Sequence, residues 1–245
     1  MTHFAVKLAD ITIGISSLYE KTKESFREYL TEDTPVFSLT VTNSEIDRER
    51  EITALNRTIE PGKAYPRTKA ALEEQWIYHK IAGNMPNYNV LLFHGSAVAV
   101  NGQAYLFAAP SGTGKSTHTR LWRQYFGDRA VMINDDRPLL KCTEKGVLVY
   151  GSPWKGKHRL GSNISLPLKA VCLLRRDTAN SIAPISAEEA FPLLLRQVYR
   201  TGEISSTTKV LSLLEQITQS TALYCLGCNT ELEAARISYE GMQKN

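Results

Sequence analysis

The sequence predicts an α/β protein: a mixed-sheet domain over residues 86–245 built around a phosphate-binding loop, preceded by a small α+β lobe with a connecting helix over residues 1–85. Three observations predict it. Residues 109–117 read Ala-Pro-Ser-Gly-Thr-Gly-Lys-Ser-Thr, between an apolar strand-like run, Gln103–Ala108, and a helix-like run, Thr117–Phe126, closed by Gly127. Asn101-Gly102 is a two-residue hairpin signal, so the strand entering the loop is expected to pair antiparallel with the one before it. Further on, the apolar run Ala130–Ile133 ends in Asn134-Asp135-Asp136-Arg137, a pair of carboxylates at the end of a strand.

The elements follow in order. Phe4–Leu8 and Ile11–Ile15 read as strands, Leu18–Leu30 as a charged amphipathic helix and Val36–Val41 as another strand. Glu45–Glu51 reads as a solvated charge run, a surface face or turn. Residues 61–66, Pro-Gly-Lys-Ala-Tyr-Pro, break the chain before a helix that runs to about Ile81, with Leu72, Trp76, Ile77 and Tyr78 available for packing. Val90–Phe93 and Ala97–Val100 then lead into the hairpin. Val147–Tyr150, Ala170–Leu174 and Ala222–Leu226 are further short apolar strands, and Ala187–Tyr199, Thr208–Gln219 and Glu231–Met242 are helices.

Composition narrows the partners. The chain has 29 Lys and Arg against 25 Asp and Glu, a formal charge of +4. That excess suits anionic phosphates but is too small and scattered for a nucleic-acid partner. No apolar run approaches the ~18 residues that span a bilayer, and the first residues lack the basic and apolar regions of a signal peptide. No membrane and a cytoplasmic location are therefore expected. Cys142 and Cys172 read as small hydrophobes, whereas Cys225-Leu-Gly-Cys228 has a spacing that fits either structural thiols or a metal or redox pair lacking its second half.

The chemistry concentrates in the 109–117 loop. Gly112 and Gly114 allow a turn tight enough for successive N–H groups to face phosphate oxygens, at a helix N-terminus that adds partial positive charge. Ser111, Gly112, Thr113, Gly114, Lys115, Ser116 and Thr117 form the expected nucleotide-binding set. Lys115 would reach the β- and γ-phosphates, and the Ser116 hydroxyl would ligate Mg²⁺. A nucleotide such as ATP with Mg²⁺ is the expected cofactor. Adjacent carboxylates divide two tasks: one serves the metal while the other accepts a proton from an attacking hydroxyl. His94 fits either a structural residue or a partner for the base. The basic run Ser152–Arg159, with Lys155, Lys157 and Arg159, fits either a solvated loop or one that lies over phosphates and acceptor.

Taken together, His94-Gly95, the hairpin, Pro110-Ser-Gly-Thr-Gly-Lys-Ser116 and Asn134-Asp-Asp136 resemble the HPr kinase/phosphorylase family, whose nucleotide fold is similar to that of ATP-dependent phosphoenolpyruvate carboxykinase. The family's loop, Gly-x-Ser-Gly-x-Gly-Lys-Ser, accommodates Ser111, and Tyr150–Lys157 with Leu166–Leu174 looks like its shorter members, often found near peptide-modification genes. The resemblance implies a P-loop kinase core that uses ATP and Mg²⁺. In it Lys115 contacts phosphate, Ser116 ligates the metal, Asp136 assists the metal, Asp135 is the catalytic base and His94 supports that base. It also implies an acceptor hydroxyl, most simply serine, in a peptide, protein or small molecule, and a homo-oligomer. Thr117 replaces the family's acidic residue and the later glycine-rich phosphorylase signature is missing, so HPr as substrate and reversal by phosphate are not expected. Two other readings of the same residues stand beside the kinase: a nucleotide-binding regulatory protein that transfers no phosphate, and a carboxykinase-like lyase.

Overall fold

In the N-terminal unit, Met1–Asn84, alternating apolar residues build a four-stranded sheet. β1 (Thr2–Leu8) and β2 (Ile11–Ser17) form a hairpin whose turn residues Ala9 and Asp10 both have positive φ. β3 (Leu30–Thr31) joins the outer side of β1, and β4 (Phe37–Thr40) runs parallel to β2. The helix expected over Leu18–Leu30 is shorter than that: α1 (Glu20–Ser25) is followed by a single 3-10 turn at Arg27–Tyr29. Its start is set from outside. The buried Glu73 carboxylate accepts from the N–H groups of Leu18 and Tyr19 and from the Thr22 hydroxyl, at 2.5, 3.3 and 2.5 Å.

Residues 45–51 are helical rather than a charged turn. They lie within α2 (Asn43–Ile59), which Thr42 and Glu45 begin as a capping box: Thr42 N–H donates to Glu45 Oε2 at 2.9 Å and Glu45 N–H to Thr42 Oγ1 at 3.4 Å. Ile46, Glu49 and Thr53 are buried at helical spacing. α3 (Lys69–Asn84) closes the unit with Leu72, Ile77 and Ile81 buried. This computed structural model describes residues 1–59, 68–200 and 204–243, so the break expected over 61–66 lies outside the described residues.

The second unit, Met85–Asn245, carries a mixed sheet of nine strands among the described residues. These are β5 (Val90–Leu92), β6 (Ser96–Val100), β7 (Gln103–Ala108), β8 (Ala130–Asn134), β9 (Leu139–Thr143), β10 (Gly146–Tyr150), β11 (Ser165–Arg176), β12 (Ser181–Pro184) and β13 (Ala222–Cys228). The order is β5-β9-β10-β11-β7-β6-β8, with β13 pairing both β11 and β12. β7, β11 and β13 are parallel to one another, and β6 runs antiparallel to both β7 and β8. The protein is therefore α/β with mixed sheets, and the hairpin at Asn101-Gly102 joins β6 to β7 in the antiparallel pairing expected. The sequence reading did not identify β9 or β12, whose apolar runs are short and broken by polar residues.

Both faces of the sheet are covered, which is why β7 reads as a continuous apolar run rather than an alternating one. Ala104, Leu106 and Ala108 face a core completed by α5 (Ala187–Leu195) and α6 (Ile204–Ser220), with Leu194, Val210, Leu214 and Ile217. Tyr105 and Phe107 face the other core, completed by α4 (Lys115–Phe126) and α7 (Glu233–Gly241), with Leu121, Trp122 and Ala235. The helix expected over Ala187–Tyr199 stops at Leu195 because the chain leaves it to bridge Phe93 through Val198. Among the described residues no helix is long and apolar enough to cross a membrane. Cys142, Cys172, Cys225 and Cys228 are free thiols, and burial pushes the pKa values of Cys142, Cys172 and Cys228 up, away from the reactive thiolate.

His118, inside the α4 core, makes a measurable prediction. Its ring stands edge-on to Phe107 at 4.6 Å, and its Nε2 is hydrogen-bonded to Ser238 Oγ at 3.1 Å and accepts from Trp122 Nε1 at 3.2 Å. Burial lowers its pKa from 6.5 to about 3. Above pH 6.5 the folded and unfolded chains hold the same proton count at this site. Below it only the unfolded chain gains a proton, so stability falls as the pH drops from about 6.5 toward 3, by roughly 2 kcal/mol at pH 5. Urea unfolding at pH 7 and pH 5 should show that loss in the wild type and a smaller one in His118→Gln. Equal pH dependence in the two proteins would refute a buried neutral imidazole.

Candidate active site

The sheet topology itself gathers the site. Because β6 runs against its neighbours, its first residues lie beside the last residues of β7 and β8: Ser96 pairs with Phe107, and Ala97 with Asn134. The 109–117 loop leaves β7 and the Asp135-Asp136 corner leaves β8 at the same end of the sheet, with His94, Gly95 and Ser96 between them. Residues 42 apart in sequence meet here.

Gly112 and Gly114 have φ of +80° and +125°, and a Cβ at either would meet nothing within 4 Å, so backbone conformation rather than lack of space requires glycine. α4 begins at Lys115. The buried Lys115 Nζ donates to the Ala109 carbonyl at 2.8 Å. Burial lowers its pKa below the ordinary lysine value, while Asp136 and then Asp135 push it back up, which places the ammonium within electrostatic reach of both carboxylates. Ser111 and Gly112 are exposed, and Thr113, Gly114, Ser116 and Thr117 are half-buried along the same turn. Sequence reasoning missed Arg176, at the end of β11. Its Nη2 donates to the Gly112 carbonyl at 2.6 Å and its Nε to the Thr113 carbonyl at 3.3 Å, bracing the loop from outside. Nothing local to Arg176 marks it; the parallel pairing of β7 with β11 brings it there.

The two carboxylates separate, as successive residues leaving a strand do. Asp135 turns inward: it is buried, and its Oδ1 accepts from Ser96 Oγ at 2.6 Å, while Ser96 Oγ also lies 3.1 Å from Thr119 Oγ1 on α4. Asp136 turns toward His94, whose Nε2 stands 3.7 Å from Asp136 Oδ1, and toward Arg137, whose Nε is 3.5 Å from Oδ2. His94, which the resemblance implies supports Asp135, stands beside Asp136, while Asp135 is held by Ser96. Burial and then the Lys115 charge lower the pKa of His94 against the pull of Asp136, so the imidazole is neutral at neutral pH. Its backbone N–H donates to the Gln197 carbonyl at 2.7 Å, which fixes it to the segment following α5.

Asn134 shapes the corner, a role the sequence reading did not assign. Fully buried, it accepts at Oδ1 from the N–H groups of Asp136 (2.9 Å) and Arg137 (2.7 Å), and donates from Nδ2 to the Ser152 carbonyl and hydroxyl, each at 3.1 Å. An Asn two and three residues before the amides it accepts from is a legible local signal, an Asx turn. Ser152 Oγ in turn donates to the Arg137 carbonyl at 2.6 Å. The basic 152–161 segment is fastened at its other end as well, by Asp135 N–H to the Leu160 carbonyl (3.0 Å) and Ser162 N–H to the Ile133 carbonyl (3.1 Å).

What the arrangement offers is a cradle of backbone amides with one lysine, a hydroxyl at Ser116, and two carboxylates in different settings. Among the described residues no group of three or more His, Cys, Asp or Glu is gathered as a metal cage. That donor set fits Mg²⁺ held largely by nucleotide phosphates, which needs only one or two protein oxygens.

A family model described as "ScmC: SynChlorMet cassette protein ScmC" matches residues 61–201, a stretch that takes in the loop, the carboxylate corner and the basic segment. No curated protein matches the chain. Among solved structures the chain is similar to the HPr(Ser) kinase/phosphatase from Coxiella burnetii, with 12% identity and a TM-score of 0.36, over 62% of this chain and 97% of that one.

Proposed function

We propose that this chain, which belongs to the ScmC family of SynChlorMet cassette proteins, is an ATP- and Mg²⁺-dependent kinase that phosphorylates a hydroxyl group, such as serine in a peptide, protein or small molecule. One observation carries the reading: a phosphate loop with its lysine and a carboxylate–imidazole pair emerge side by side at one end of the sheet. A nucleotide binder needs the first; a transferase also needs a group that takes a proton.

The amides of residues 112–116 and the α4 N-terminus bind the triphosphate, and Lys115 neutralises charge on the phosphoryl group in flight. Ser116 and Asp135 are the residues that would hold Mg²⁺, which would supply positive charge to offset that of the phosphates. Asp136 takes the acceptor's proton as its oxygen bonds to the γ-phosphorus and the bond from that phosphorus to the bridging oxygen of ADP breaks. His94, neutral and half-buried, orients Asp136. The metal and base tasks are thus assigned to Asp135 and Asp136 in the reverse of the order that the resemblance implied.

Calorimetry with ATP and Mg²⁺ tests the nucleotide half. The wild type should bind, and Lys115→Met should bind at least tenfold more weakly, about 1.4 kcal/mol or more. Incubation with γ-labelled ATP and a panel of hydroxyl acceptors tests transfer. Binding without transfer to any acceptor would favour a regulatory nucleotide binder, and decarboxylation of oxaloacetate with ATP would favour a carboxykinase-like lyase.

A further inference from the structure

The segment fastened over the carboxylate corner carries charge that the mechanism above leaves unused. From Ser152 to Leu160 the chain holds three Lys and Arg (155, 157, 159) and no Asp or Glu. Lys157, His158 and Arg159 form its exposed tip. The tip is held in place. Besides the bonds at Ser152, Leu160 and Ser162, Gly161 bridges Asn134. At the apex Gly156 has φ +67°, and a Cβ there would come within 2.9 Å of the Asp136 Cβ. Arg159 itself sits at φ +51°, in the left-handed region that side-chain-bearing residues seldom occupy.

The carboxylates beside this tip have other partners: Ser96 for Asp135, and His94 and Arg137 for Asp136. The triphosphate has its own cation in Lys115 and its own donors in the loop amides. Gly156 abuts Asp136, so in the kinase reading an acceptor whose hydroxyl reaches Asp136 comes in beside this tip.

We propose that the acceptor is an acidic peptide, in which Asp or Glu side chains flank the hydroxyl-bearing residue and are read by Lys157 and Arg159. The inference rests on the kinase reading but is separable from it, since peptide binding is measured without turnover. Exposed cations of this kind act through long-range attraction, so the interaction weakens with salt.

The experiment is fluorescence anisotropy of a labelled serine peptide flanked by Glu, and of its Gln-flanked counterpart, on the full chain with Mg²⁺ and a non-hydrolysable ATP analogue. The Glu peptide should bind at least tenfold more tightly at low salt, and lose most of that margin at 0.5 M NaCl (an ionic strength at which the Debye length is about 4 Å). In Lys157→Gln/Arg159→Asn, where Asn keeps the left-handed backbone, the preference should disappear while affinity for the ATP analogue stays within twofold. Equal or absent binding of the Glu peptide overturns the proposal. So does a loop variant that loses the nucleotide instead, because the cations would then serve the triphosphate. Equally tight binding of a single-stranded oligonucleotide would mean an unselective polyanion surface and also overturns it. Failure of the kinase reading looks different: no ATP binding, or no effect of Lys115→Met on it.

Discussion

Asp136→Asn is expected to lower phosphoryl transfer by about two to four orders of magnitude, the range for loss of a general base, with ATP affinity changed by no more than a few fold. The substitution keeps the shape of the side chain and its place beside His94 and Arg137 but removes the proton acceptor. Its loss should fall on kcat rather than on the KM for ATP, because the amide cradle lies elsewhere. Asp135→Asn should behave differently, raising the Mg²⁺ concentration needed for half-maximal activity, since Asp135 is held by Ser96 on the side of α4. If Asp135→Asn abolishes transfer at saturating Mg²⁺ while Asp136→Asn remains active, the base is Asp135 and the assignment made from geometry is wrong.

Asn134→Ala is the substitution expected to cost the most stability, about 3 kcal/mol, with loss of activity beyond what unfolding accounts for. Four hydrogen bonds disappear with one fully buried side chain. The Ser152 carbonyl loses its partner in a buried place, which is the costly case, and the part-buried amides of Asp136 and Arg137 lose theirs as well. Those two amides also set the direction in which the Asp136 side chain leaves the backbone. Urea unfolding and kcat measured together would check it: a variant within 1 kcal/mol of wild type, or one fully active where it is folded, would show that the corner holds itself without Asn134.

The sequence revealed most about segments whose determinants are close together. The glycine turn between β7 and α4, the Asn101-Gly102 hairpin and the apolar strands on either side were all readable, because glycine conformations, turn residues and apolar runs act over fewer than about ten residues. Misreadings arose where a local signal was overlooked or outweighed. Thr42-Asn-Ser-Glu45 was a capping box in plain sight, and the charge density that followed concealed the buried face Ile46, Glu49 and Thr53. Helix α1 starts late because Glu73, more than fifty residues away, takes the amides of Leu18 and Tyr19, and it ends early in a 3-10 turn at Arg27–Tyr29.

At the site the division is sharper. That there is a lysine after a glycine-rich turn and a pair of aspartates after a strand was determined by residue types at short spacing, which no folding can alter. Which aspartate faces the histidine was not, because it depends on which way each side chain turns as β8 ends and on what the antiparallel strand β6 places beside it. Ser96 draws Asp135 one way, and His94 and the 152–161 segment meet Asp136 on the other. The brace from Arg176 and the lock at Asn134 belong to the same class: their partners lie 64 and 18 residues away and become neighbours only through strand pairing and loop closure. Local chemistry specified the parts of the site; long-range pairing of strands assigned each part its neighbour, because a side chain's partner is set by register and direction rather than by sequence distance.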